Sequence, residues 1–439
     1  MNATSNWLAP VLRNRMVMFI LAMAVLVPLA FAPVSAHNPA LGAVLLEGCA
    51  IVLLAMLLLR ADWRGGVGTR MVDFVKSPAN LPALLFLAVA GASILMAPAN
   101  AREFGIQEFL RLGSGVVLYF AIAHHVRRSD QLSCLVDVVL FLCCVISIAG
   151  FVQFNSGAGK FATGLFGDHQ LYGSCLMALL PVAAAVAVCE KKSLARQLFA
   201  QSATVLAAAG LLAAHSRSAW IGGASALTVL AVASLVQIVK KQRSNQPVRV
   251  HEVAVHAVLL VLTVGFFLYM WPNSASVFGR AATLNAVQAD ATWNAREATW
   301  AGASKMIMQS PVVGHGLGTF PTMAHQYAGI GLPVADLHIR PSLSEQAHNL
   351  YLQTASEVGI LGLVLFLAIP GTLLFIGARR AMQMDDGIRR TLLIGAMAST
   401  VGILVDAIAS PSWQMGTVSL FMWLVLGIVA SCMQPNTKR

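Results

Sequence analysis

The residues of this sequence that could do chemistry are polar side chains that lie outside its hydrophobic runs. His348 and Asn349 stand beside one such run, and a neutral imidazole there could accept a proton from a hydroxyl group near physiological pH. Arg217 and Arg296 could bind an anionic group, because the planar guanidinium fork matches the oxygens of a phosphate. The residue types therefore indicate proton transfer from a hydroxyl beside a bound anion.

Each of these residues also has a simpler explanation. Arg217 lies near Trp220 and could anchor the chain at a membrane surface, whereas Arg296 could be a solvated charge on a helix. Arg280 and Arg340, which could also meet the anion, could equally be ordinary loop charges. A single histidine is more often structural or solvated than catalytic. That explanation stays open for the other histidines predicted to lie on the same side as His348, which are His37, His169, His215, His315, His325 and His338.

The composition decides what kind of scaffold must position these residues. Of the 439 residues, 58% are hydrophobic and only 11% are charged, and the mean hydropathy is +0.74. A soluble domain is about 45–50% apolar and about 25% charged. So few charges cannot cover a water-facing surface of this size, which excludes a disordered chain, a collagen-like repeat and a nucleic-acid-binding domain. The sequence therefore predicts an integral membrane protein, surrounded by a lipid bilayer and with no nucleic-acid partner.

Hydrophobic runs of roughly 20 residues, the length that crosses a bilayer, recur along the chain. They predict an all-α polytopic protein with about twelve transmembrane helices. The runs cover residues 16–35, 41–59, 80–97, 109–126, 131–152, 171–189, 198–214, 219–239, 253–271, 352–377, 391–409 and 413–432. The first run ends near Val34-Ser35-Ala36, which resembles a signal-peptidase site, but its length favours a retained helix.

The basic residues predict the orientation of these helices. Cytoplasmic loops carry an excess of Lys and Arg, and every second loop of this chain is basic. We therefore expect both termini to be cytoplasmic. Only eight of the 29 basic residues fall on the opposite side, namely Arg102, Arg111, Lys160, Arg217, Arg280, Arg296, Lys305 and Arg340.

One long external segment, residues 272–348, separates the predicted helices of residues 1–271 from those of residues 349–439. A helix is predicted from Thr292 to Gln309, with Arg296 and Trp300 on one face. The glycines at 314–318 predict a flexible turn. A second helix is predicted from a capping box at 342–345 into the tenth span, which would place His348 in its second turn. We expect 272–348 to form an ordered periplasmic cap.

Several familiar catalytic patterns are absent from the sequence. It contains no His-Glu-x-x-His, phosphate-binding loop or Gly-x-Ser-x-Gly elbow, and no external Asp-x-Asp pair that could ligate a metal. We therefore predict no metal and no cofactor. Four carboxylates fall within predicted spans and are the best support for a transporter, although we find no internal repeat of the kind that transporters show. They are Glu47, Asp137, Glu357 and Asp406.

The motifs of the external segment resemble those of the bacterial O-antigen ligase and polymerase family. The short Ser-Arg motif at 216–220 and the segment 164–173 also resemble the family, except that the family often has Asn near His169-Gln170. The specific part of the resemblance is Arg296-x-x-x-Trp300-x-x-Ala303, Met306-Ile307, Pro311, Gly314-x-Gly316-x-Gly318-x-Phe320, Ala347-His348-Asn349-x-x-Leu352 and Glu357-x-Gly359-Ile360-x-Gly362.

The resemblance implies a glycosyltransferase of lipopolysaccharide synthesis, similar in fold to other many-helix membrane glycosyltransferases. Such enzymes transfer a polysaccharide from undecaprenyl diphosphate to a hydroxyl of lipid A–core, on the periplasmic face of the inner membrane and without a metal. It implies His348 as the general base and Arg217 and Arg296 as the groups that stabilise the diphosphate. Asn349, Arg280, Arg340, His338 and Trp300 are expected to bind substrate.

Three alternatives remain open at this point. An O-antigen polymerase and a protein O-oligosaccharyltransferase would use the same donor and a different acceptor. A secondary transporter or lipid flippase would use the four carboxylates within the spans for ion coupling. We expect an enzyme that inverts the anomeric centre and acts as a monomer.

Overall fold

The computed structural model describes residues 14–34, 39–60, 74, 77, 79–157, 161–189, 193–243, 291–328, 346–385, 387–414 and 416–434. In this part of the chain every regular element is a helix. Short 3-10 helices lie at Ile94–Met96, Ala99–Ala101 and Ser412–Gln414. The α-helices, numbered in chain order, are α1 (Arg15–Val34), α2 (Pro39–Arg60), α3 (Asn80–Ser93), α4 (Arg102–His125), α5 (Ser129–Asn155), α6 (His169–Cys189), α7 (Leu194–Ala213), α8 (Arg217–Arg243), α9 (Ala291–Gln309), α10 (Phe320–Ala328), α11 (Leu350–Gln383), α12 (Ile388–Asp406) and α13 (Gly416–Met433).

Each of these helices except α9 and α10 coincides with a predicted span. The ninth predicted run, residues 253–271, lies outside the described residues, and each of the other runs falls on a helix. The apolar stretches of four helices are shorter. They lie at Arg15–Val27 in α1, Leu45–Met56 in α2, Asn80–Met96 from α3 into the next 3-10 helix, and Val418–Met433 in α13. Within the described ranges six helices are long and apolar enough to cross a membrane: Ala99–His125, Ser129–Asn155, His169–Val188, Arg217–Gln237, Leu350–Gln383 and Ile388–Asp406. The chain is an all-helical polytopic membrane protein, as the hydrophobic runs predicted.

The helix α6 is the centre of the bundle. Along its apolar stretch 89% of the residues are buried, whereas α8 is only 28% buried and lies at the periphery. The helix α6 packs against α5, α7, α8 and α12. Apolar side chains on all sides of α6 explain its position, because a helix that is hydrophobic all round is buried among other helices.

One end of the bundle gathers arginines and is called the basic end here. The Arg389 guanidinium donates to the carbonyl of Arg127 at 2.6 Å and to that of Ser431 at 2.9 Å, so it joins α12 to two other helix ends. Nearby, Arg196 pairs with Asp137 at 2.8 Å. These arginines come from loops predicted to be cytoplasmic.

The opposite end, called the site end here, carries the described part of the predicted cap. The helix α9 confirms the helix predicted at 292–309. It packs against α10 through a small apolar core, with Tyr327 donating its hydroxyl to Gln309 at 2.6 Å. This core is made of Ala303, Met306, Phe320, Ala324 and Ala347.

Candidate active site

The long helix α11 is broken at Gly359, whose φ of 76° and ψ of 175° are not helical. The loop between α9 and α10 supplies the hydrogen bonds that the break interrupts. The Ile360 N–H donates to the Pro311 carbonyl at 2.8 Å, and the Gly316 N–H donates to the Glu357 carbonyl at 2.8 Å. The His315 N–H donates to the Ser356 carbonyl at 3.1 Å. The loop is therefore docked into the break.

Two glycines permit this docking. A side chain at Gly314 would overlap the Glu357 carbonyl, and one at Gly359 would overlap the Val312 carbonyl. Both residues also have positive φ, which glycine adopts without steric cost. The turn predicted at 314–318 is present, and the close approach of two backbones requires its first glycine.

The buried carboxylate of Glu357 lies directly beneath the cap. Its Oε1 accepts from the N–H of Phe320, the first residue of α10, at 3.1 Å. The Gln353 amide is 3.4 Å from the same oxygen. A carboxylate at a helix N-terminus is favourable because the helix dipole is positive there. Glu357 thus joins α11 to the start of α10.

Ala347, the residue before His348, has both of its backbone groups fixed. Its N–H donates to Gln353 Oε1 at 2.9 Å, and its carbonyl accepts from the Trp300 indole N–H at 2.8 Å. Ala347 is fully buried. The indole N–H of Trp300 therefore contributes to the placement of the chain at His348.

His348 lies outside the helix that follows it. The helix α11 begins at Leu350, where the Leu350 N–H donates to the Ala407 carbonyl at 3.0 Å. Asn349 is the N-cap, and its side chain accepts from the Leu352 N–H at 3.0 Å. The prediction that His348 lies in the second turn of a helix starting near 342 was wrong, because Asn349 starts the helix with its own side chain.

The backbone of His348 is strained. Its φ is +49°, in the left-handed region, which costs a residue with a side chain about 1 kcal/mol. His215 has the same feature, with φ of +54°, and each histidine stands two residues before the first residue of a helix. The surrounding contacts must hold His348 in this conformation.

Arg217 is the first residue of α8, and α8 is packed tightly against the end of α12. A Cβ added at Gly222 would lie 2.7 Å from the Gly402 carbonyl oxygen. The Ala407 carbonyl, just beyond α12, binds the start of α11. The end of α12 therefore brings the first residue of α8 and the segment of His348 to the same end of the bundle.

The sequence placed His215 on the same side as His348 without giving it a role, and it placed Asp406 within a span. Asp406 is fully buried at the end of α12, and its Oδ2 accepts from the Ser174 hydroxyl at 2.8 Å. His215 is buried, with its ring centroid 5.1 Å from that of Phe161 and 6.1 Å from that of Trp220. A carboxylate at the negative C-terminal end of a helix was the signal available for Asp406.

The remaining predicted site residues divide into two groups. Arg296 lies on α9 one turn before Trp300, and therefore on the same face and at the same end of the bundle. Arg280, Arg340 and His338 lie outside the described residues. Among the residues that the structure describes, no group of three or more His, Cys, Asp or Glu side chains could hold a metal ion.

The four carboxylates that suggested a transporter do not lie together. Asp137 pairs with Arg196 at the basic end, and Glu47 lies half-buried on α2. Glu357 is bound to the cap and Asp406 to Ser174, both towards the site end. Each of the three with described contacts has a local partner in the packing of the bundle.

The part of the chain that carries these residues matches a known protein family. Residues 202–367 match the family model described as O-Antigen ligase. The matched region contains Arg217, Arg296 and His348, together with the cap and the break in α11. No curated protein sequence matches the chain. Residues 202–367 form an O-antigen ligase domain, which supports membership of the chain in that family.

Proposed function

We propose that the protein transfers O-antigen polysaccharide from undecaprenyl diphosphate to a hydroxyl of lipid A–core. The observation that carries the proposal is the strained His348 at the site end, within the region that matches the O-antigen ligase model. Arg217 and Arg296 come to the same end on separate helices. A histidine and two arginines at one end of a membrane bundle suit a reaction between a hydroxyl and a lipid diphosphate.

His348 acts in this proposal as the general base. The acceptor hydroxyl oxygen attacks the anomeric carbon of the donor, the bond from that carbon to the diphosphate oxygen breaks, and His348 takes the hydroxyl proton. Direct displacement inverts the anomeric centre. General base catalysis of this kind contributes about 10²–10⁴ in rate. Cleavage of the bond between the sugar and the lipid diphosphate supplies the free energy for the transfer, so the reaction needs no nucleotide.

Arg217 and Arg296 stabilise the leaving diphosphate. Each guanidinium can donate two parallel hydrogen bonds to phosphate oxygens. Arg217 is also the first residue of a long helix, whose N-terminal amides favour an anion. The two arginines stabilise the negative charge that develops on the leaving diphosphate, so the proposed reaction needs no metal. Arg280, Arg340, His338 and Asn349 are proposed to contact the substrates.

The distribution of arginines supports a periplasmic site. Arg127, Arg196 and Arg389 gather at the basic end, and basic loops stay in the cytoplasm. With the basic end in the cytoplasm, the site end opens to the periplasmic face of the inner membrane and both termini are cytoplasmic. The described helices α9 and α10 then belong to a periplasmic cap formed by residues 272–348.

The experiment that tests the function is transfer by the purified, detergent-solubilised monomer. Undecaprenyl-diphosphate polysaccharide is offered together with lipid A–core, a peptide, or a second carrier-linked unit. We expect product on lipid A–core, formed at least about 10²-fold more slowly with His348→Ala. Elongation of the carrier-linked unit would indicate a polymerase, and a glycopeptide would indicate a protein O-oligosaccharyltransferase. Either product would replace the proposed acceptor, and no transfer to any of the three would overturn the proposal.

A further inference from the structure

We propose that Gln353 and Glu357 are positioning residues that hold the strained backbone of His348 in its working conformation. This inference rests on the proposed role of His348 as the base. The two side chains lie four residues apart on the first turns of α11, and therefore on one helix face. Both are buried, and both bind backbone groups outside their own helix.

Gln353 is the direct link to His348. Its side-chain oxygen accepts from the Ala347 N–H at 2.9 Å, and its amide nitrogen is 3.4 Å from Glu357 Oε1. An amide offers one acceptor and one donor on opposite sides, so Gln353 can satisfy both neighbours at once. The peptide between Gln346 and Ala347, one residue before His348, is therefore fixed by a side chain whose own orientation Glu357 sets.

Glu357 connects the same link to the cap. Its Oε1 also accepts from the Phe320 N–H, at the start of α10. Trp300, on α9, holds the Ala347 carbonyl from the other side. Both cap helices thus reach the backbone of Ala347, α9 directly at its carbonyl and α10 at its N–H through Glu357 and Gln353. The placement of the cap and the placement of the His348 backbone are set by one connected group of contacts.

The exchange of the two side chains tests this link. In Gln353→Glu an oxygen still faces the Ala347 N–H, but two carboxylates face each other across 3.4 Å. Adding Glu357→Gln removes one of the two negative charges, but an amide at 357 cannot both accept from the Phe320 N–H and donate to a carboxylate at 353 at the single position that Oε1 occupies. We expect Gln353→Glu to lower kcat about 10²-fold, the effect of a catalytic group displaced by about 1 Å. The double variant should recover part of that loss, because the repulsion between two carboxylates is gone.

The measurements separate positioning from a general loss of folding. The KM for the donor should stay near that of the wild type in each variant, because the arginines are untouched. Gln131→Leu is the matched control, since Gln131 is as buried as Gln353, at 5% exposure, and caps α5 at the basic end. It should lower thermal stability and leave kcat unchanged. Gln353→Leu, which adds no charge, should lower kcat with KM unchanged if Gln353→Glu does not fold.

Two outcomes would overturn the inference. One is wild-type kcat in Gln353→Glu or Gln353→Leu, and the other is a double variant no more active than Gln353→Glu. In single-turnover assays, Gln353→Leu should cost nothing further once His348 is already Ala, because the link acts through that histidine. Full activity of His348→Ala would instead refute the proposed base, so failure of the proposed function is distinguishable from failure of this link.

Discussion

Trp300 donates its indole N–H to the carbonyl of Ala347, 2.8 Å away and 47 residues later in the chain. The bond ties the cap helix α9 to the residue that precedes His348. Arg296 lies on the same face of α9. The cap therefore brings an arginine to the site and fixes the backbone of the proposed base through one helix.

Removing this hydrogen bond should reduce activity more than stability. Trp300→Phe keeps an aromatic ring but loses the N–H, which costs about 1 kcal/mol of stability. We expect the transfer rate to fall about tenfold or more, because Ala347 is released on one side. Trp413→Phe is the control, since the buried Trp413 indole N–H has no hydrogen-bond partner among the described residues. Equal transfer rates in the two variants would contradict the prediction.

The left-handed backbone of His348 predicts that two inactive variants differ in stability. Both His348→Gly and His348→Ala should lose nearly all transfer activity, because neither provides a base. His348→Gly should be more stable than His348→Ala by about 1 kcal/mol, since glycine adopts a φ of +49° without strain. Thermal unfolding in detergent measures the difference. A less stable glycine variant would show that the conformation is not strained.

Exchanging arginine for lysine tests the binding of diphosphate by two parallel hydrogen bonds. Arg217→Lys and Arg296→Lys keep the charge and lose the planar fork. We expect each to lower kcat about 10²-fold, as does the loss of one donor from a site that stabilises an anion. Arg128→Lys, at the basic end, should leave transfer unchanged. Wild-type rates in both site variants would mean that charge alone is sufficient.

The break in α11 predicts a difference between two glycines of the same helix. Gly359→Ala should destabilise the protein by more than about 1 kcal/mol, because φ is positive and a Cβ would overlap the Val312 carbonyl. Gly371→Ala meets nothing within 4 Å and should be neutral or stabilising. Limited proteolysis of the cap together with thermal unfolding measures both effects. Cap cleavage that is no faster in Gly359→Ala than in the wild type would contradict the docking role of Gly359.

The sequence predicted the elements of this fold better than their contacts. Hydrophobic runs and local periodicity identified the spans and the helix at 292–309, because both signals lie within one segment. The start of α11 was misplaced because 342–345 and Asn349 both match helix-capping patterns, and only the chain path shows that Asn349 caps the helix. Which of the two capping patterns starts the helix depends on contacts with residues that are distant in sequence.

The candidate site was predicted only in part, because contacts between segments that are distant in sequence leave no local signal. Residue type and motif selected His348, Arg217 and Arg296, and the structure brings their segments to one end. The spacing of Gly314 and Gly359 could not reveal that the two backbones meet, because each glycine needs the other as its partner. Nor could Glu357 be linked to Phe320 before the loop between α9 and α10 was in place.

The break at Gly359 also leaves below it a helical segment that is long enough to cross a membrane by itself. Below the break, Ile360–Gln383 rises roughly 36 Å at 1.5 Å per residue, which alone crosses a hydrocarbon core of about 30 Å. The nine residues before Ile360 (Tyr351 to Gly359) can then stand at the level of the lipid headgroups. Glu357 and Gln353 would thereby avoid the hydrocarbon core. The proposed base would meet its substrates at the depth where a polyprenyl diphosphate carries its phosphates.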